Sequence, residues 1–157
     1  MLKNNKGITL TILVVTVIVM IIILAITIST GDELLRNTQK NRIKSNMYLI
    51  KARAETLLED YLFDGTDNLG TMAATYNQVQ IMGWTWDYSE SNYKYRIWDI
   101  EKLKEQGIEA KDITDEDEFV VKFDLTTAEV DVGITRGFED SSGKMLFTLS
   151  ELIEEDE

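Results

Sequence analysis

Residues 8–28 contain no charged side chain over 21 positions. They comprise 16 Ile, Leu, Val or Met, four Thr and Ala25. Coiled as a helix, the run spans about 31 Å, close to a bilayer hydrocarbon core of about 30 Å. Fifteen of the residues are Ile, Leu or Val. At about −0.3 to −0.6 kcal/mol each, they favour insertion by very roughly 5–9 kcal/mol. β-Branched residues favour strands in water, but this run is too long for one and does not alternate as a barrel strand must. A helix satisfies its own backbone groups in lipid, so the run is predicted to be a transmembrane helix. A cleaved secretory signal is an alternative, with small residues near Ala25, Thr27 and Ser29, but its apolar stretch is ordinarily 7–15 residues. A buried soluble helix is a second alternative.

The remainder is of a different kind. Lys3 and Lys6 are the only charges before Asp32, and all 28 acids lie from Asp32 onward, against 14 bases. That part carries a net charge of −14, which repels nucleic acid and anionic headgroups. No nucleic-acid partner is expected for the isolated domain. The chain has no Cys and no His. Thiol chemistry, disulfides, imidazole acid–base catalysis and most zinc sites are therefore excluded. No nucleophile elbow or phosphate-binding Gly loop occurs, and the chain is expected to be neither an enzyme nor a cofactor binder. There is no Pro, which suits long helices.

Thr30-Gly31-Asp32-Glu33 reads as a capping box, predicting a helix restart and a kink or break near Gly31. Ile43, Met47, Ile50, Ala54, Leu57 and Tyr61 are spaced 4, 3, 4, 3, 4 and form one apolar helical stripe. The turn formers Asp64-Gly65-Thr66-Asp67-Asn68 end that helix. Further on, Asp99 caps a short helix that Gly107 stops. Val120 to Asp124 and Glu129 to Ile134 read as a hairpin, with a second hairpin across Asp140-Ser141-Ser142-Gly143. Thr148 and Glu151 form another capping box. The fold class is α+β: an N-terminal transmembrane helix continuing into an amphipathic helix packed on a small antiparallel β-sheet. The divisions are residues 1–7, a basic leader; 8–28, the membrane helix; 31–63, the amphipathic helix; and 64–157, a small acidic β-rich domain.

Two clusters invite a chemical reading. Asp112, Asp115 and Asp117, with Glu116 and Glu118, are dense enough in oxygen for Ca²⁺. They lack EF-hand spacing and the turn Gly, so a solvated loop is the simpler expectation. Trp84, Trp86, Tyr88, Tyr93, Tyr95 and Trp98 put six aromatics within 15 residues. Buried, they form the core of the sheet; exposed, they form an adhesive or sugar-stacking patch. If Trp84, Trp86 and Tyr88 lie on a strand, they share one face and are buried or exposed together.

Lys6-Gly7-Ile8-Thr9-Leu10, running directly into the apolar stretch, resembles the prepilin-type N-terminus of type IV pilins and pseudopilins. With Asn5 before it and Thr30-Gly31-Asp32 after the anchor, the likeness is to the Gram-positive pilin-like proteins. Residues 119–133, Gly137-Phe138 and residues 145–152 resemble the hairpins that close such proteins. The resemblance implies cleavage after Gly7 by a prepilin peptidase, methylation of Ile8, and packing of the apolar helix against other pilin-like subunits. It implies a cell-membrane protein with membrane lipid as a partner and its C-terminal domain outside, or an extracellular filament. A plain count of Arg36, Lys40, Arg42 and Lys44 against Lys3 and Lys6 gives the opposite orientation. Ile12 is the fifth residue after the presumed cut, where major pilins carry Glu; this departure fits a minor or tip subunit, or an uncleaved relative. An uncleaved, membrane-anchored extracellular binding module and a secreted domain released from its signal are the alternatives.

Overall fold

In a computed structural model, the structure describes residues 6–109, 113–114, 116–140 and 142–155. Side chains within the first helix are described at residues 12–23 and from 34 onward. The chain divides into two compact units, residues 1–39 and 40–157.

Helix α1 is assigned over Lys6–Asp64. Its backbone is helical at Thr30 and Gly31, so the restart predicted there is not seen; the side chains of that capping box lie outside the described residues. In the first unit, the side chains of residues 12–23 are all exposed, as are Leu34 and Leu35. Thr16 donates its hydroxyl to the Ile12 carbonyl at 2.6 Å, the back-bond by which a mid-helix Thr satisfies itself. Among the described residues, no helix is long and apolar enough to cross a membrane.

The second unit is α+β. β1 (Met72–Ala73), α2 (Tyr76–Ile81), β2 (Tyr93–Trp98), α3 (Ile100–Glu105), β3 (Phe119–Asp124), β4 (Val130–Glu139), β5 (Met145–Thr148) and α4 (Leu149–Glu154) follow α1. The five strands form one antiparallel sheet in the order β1-β2-β3-β4-β5. The stripe on α1 is buried as its spacing predicts. Ile43, Met47, Ile50 and Ala54 are fully buried, and Leu57 and Leu58 nearly so. They share a core with Trp98, Phe119, Val121, Phe123, Val130, Val132 and Ile134 from one face of the sheet. Leu103 of α3 and Leu149 and Leu152 of α4 complete it. Each of these large apolar side chains contributes about 1.5–3 kcal/mol by leaving water. Lys44 donates to the Leu152 carbonyl at 2.8 Å, and Lys40 pairs with Glu155, which ties α4 to the helix.

Strand alternation puts Tyr95, Ile97 and Val120 on the opposite face, where they form a second core with Ala74, Val79, Met82 and Trp84. Gly133 leaves room here: a Cβ would lie 2.3 Å from the Met82 sulfur, so any side chain at this position obliges Met82 to shift. The short helices begin as their caps dictate. Asp99 accepts from Lys102 N at 2.9 Å, and Gly107 follows α3 at φ +72°. Thr148 and Glu151 cap each other's backbone groups at the start of α4.

Candidate functional site

The second face of the sheet is only partly roofed, and the roof is aromatic. α2 begins at a capping box: Gln78 N donates to Thr75 Oγ1 at 3.4 Å, and Thr75 N donates to Gln78 Oε1 at 2.8 Å. This sets Tyr76 at the first helical position. At the other end of α2, Gly83 takes φ +71° and Trp84 N donates to the Val79 carbonyl at 3.2 Å. The chain then runs through residues 84–87 outside any helix or strand.

Its three alternating aromatics do not share one environment, contrary to the strand-based expectation. Trp84 is buried, Trp86 half-buried, and Tyr88 is 88% exposed. The segment is not part of a strand, so the one-face alternation of a strand does not apply to it. Trp84 stacks on Tyr95 with centroids 6.1 Å apart and planes at 23°. Trp86 lies nearly parallel to Tyr95, at 5.8 Å and 11°. Tyr76 and Tyr88 both meet Trp86 edge-on, at 5.8 Å and 77° and at 6.1 Å and 83°. Tyr95 is buried and donates its hydroxyl to the Thr85 carbonyl, pinning this segment to β2.

Asp87 fixes the turn that follows. Its Oδ1 accepts from Ser89 N at 3.0 Å and Ser89 Oγ at 2.7 Å; its Oδ2 accepts from Asn92 N at 2.8 Å and Tyr93 N at 3.2 Å. The backbone donor of Asn92, then the Ser89 hydroxyl and amide, hold the carboxyl far below the usual carboxylate range. Asp87 is therefore a fixed anion between Trp86 and Tyr88. Glu90, at φ +49°, pairs with Arg96 at 3.1 Å.

Of the six aromatics in residues 84–98, Trp98 belongs to the α1-side core and donates its indole N–H to Leu69 O at 2.6 Å. Tyr93 is half-buried with the Lys122 ammonium 4.6 Å from its ring centre. Tyr76 is the member the aromatic run misses. Its signal was the Thr75-to-Gln78 capping box, which positions it.

Asp112 and Asp115 lie outside the described residues. Asp117 is buried and its Oδ2 accepts from Thr114 N at 2.9 Å, Thr114 Oγ1 at 3.1 Å and Arg136 at 3.3 Å. This is a structural anchor for the loop before β3, and no cluster of potential metal ligands occurs among the described residues. Gly7 and Ile8 fall within the α1 backbone, and their side-chain surroundings lie outside the described residues. No protein family, curated protein or solved structure matches the chain.

Proposed function

We propose that this chain is a membrane-anchored structural subunit that works by assembly, of the type IV pilin-like or pseudopilin-like kind and in a minor role. The observation that carries the reading is the run of 21 uncharged residues placed directly after Lys6-Gly7. Support comes from the layout that follows: the run begins a helix whose later apolar stripe is buried on a small antiparallel sheet. In this reading residues 8–28 are the membrane segment, and the acidic domain stands outside the cell. The peptidase cuts after Gly7, the new amine of Ile8 is methylated, and the anchor survives because the cut precedes the apolar run. In this reading the role is structural, exercised through contacts with other subunits.

The half-exposed aromatic cluster favours a second reading, an uncleaved membrane-anchored module that binds a ligand outside the cell. Intact mass and N-terminal sequencing of the protein from its native membrane separate the two. A mature chain starting at Ile8 supports the first reading and a start at Met1 the second. A start near Thr30 would mean a released domain and would defeat both. Gly7→Val should leave the leader attached, because the peptidase needs a small residue before the cut. Normal processing of that variant would sink the pilin-like reading. Protease added to wall-stripped cells should remove epitopes beyond Asp32, against the simple Lys/Arg count.

A further inference from the structure

We propose that Tyr76, Trp86 and Tyr88 form an aromatic cage for a trimethylammonium group. Trp86 has one face toward buried Tyr95, so solvent reaches it from the other side. Two tyrosines stand nearly perpendicular to it, at 77° and 83°. A floor with upright walls offers several electron-rich ring surfaces to one compact cation. It is a poor platform for a sugar, which stacks on flat aromatic surface.

The electrostatics select the same ligand. The chain from Asp32 onward carries a net charge of −14, and Asp87 sits in sequence between floor and wall. Both Asp87 oxygens already take two donors each. The carboxylate therefore supplies a negative field without a free acceptor. An ammonium or guanidinium brings N–H groups that need acceptors. A quaternary ammonium brings none and is satisfied by rings and field alone. A hard metal ion would need the oxygens that Asp87 has committed. Elsewhere the protein sets cations over rings at similar range, with Lys94 4.5 Å from the Tyr61 centroid and Lys122 4.6 Å from that of Tyr93. Lys122 thereby takes Tyr93 out of the cage.

The test titrates choline chloride into the ¹⁵N-labelled full chain in a maltoside detergent and follows the Trp86 indole resonance. It is independent of how the N-terminus is processed. Saturable shifts of Trp86 are expected, with little response to 3,3-dimethylbutan-1-ol, the neutral carbon isostere. Tyr88→Ala removes a side chain that is 88% exposed and leaves both cores intact. It should weaken choline binding roughly tenfold, while Tyr88→Phe keeps the affinity. A parallel titration with phosphocholine reports the source. Binding equal to choline identifies a headgroup-type ligand, and weaker binding a free cation without the phosphate that the acidic surface repels. Equal response to the neutral isostere, no saturation by choline, or an unchanged affinity in Tyr88→Ala would each overturn the cage.

Discussion

Tyr95 shows how one buried polar side chain organises the aromatic surface. It stacks with both Trp84 and Trp86 and ties Thr85 to β2 through its hydroxyl. Burial, then the negative charges of Tyr93, Asp87 and Asp124, push its phenol up to about 12. The folded value exceeds the ordinary value near 10, so this contribution to stability is fully present below about pH 10. It is lost as the pH rises through about 12. An ultraviolet tyrosinate titration should resolve one late phenol, and Tyr95→Phe should remove that step. A full set titrating together near pH 10, with the fold intact, would contradict the burial. At this scale the sequence gives partial guidance. Aromatic residues at Trp84, Trp86 and Tyr88 are visible in it, but their graded exposure goes with the turn that Asp87 holds and with the burial of Trp84 beside Met82. Neither is a periodic signal.

Elements, by contrast, follow their local codes closely. The stripe from Ile43 to Tyr61, the Asp99 and Thr148 caps and both hairpins lie where spacing and turn chemistry put them. β2 lacks a clean apolar–polar alternation, because Tyr93 to Trp98 carries Lys94 and Arg96 on the core-facing side. There they reach the sheet's margin and pair with Asp67 at 2.9 and 3.4 Å. Packing between elements supplies a test. Gly133→Ala should drive a Cβ into Met82 and destabilise the fold by about 1–3 kcal/mol in chemical denaturation. Met82→Ala alone should also destabilise it, by leaving a cavity. The double variant should cost clearly less than the sum of the two, because each change relieves the other. Simple additivity would mean that Met82 is not the constraint on Gly133.

For the whole molecule, the proposed assembly turns on charge at the start of the anchor. A mature amine at Ile8, buried in a low-dielectric filament, would need a counter-charge, and no acid precedes Asp32. The chain should therefore not form filaments alone, and Ile12→Glu should raise its self-association, read by sedimentation of membrane extracts. Homopolymers of the unmodified chain would refute this. The sheet has a consequence of another sort. Every strand pairs with its immediate neighbour in sequence, from β1 through β5. The β3–β4 and β4–β5 connections are short hairpins, while the β1–β2 and β2–β3 connections each carry a short helix, and pairing between sequence neighbours favours quick arrival at the native state. If the domain is exported as proposed above, each strand can add to the one delivered before it. Helix α4, whose two buried leucines follow β5, then closes over the core once the sheet is paired, which would make it the latch of a vectorial folding sequence.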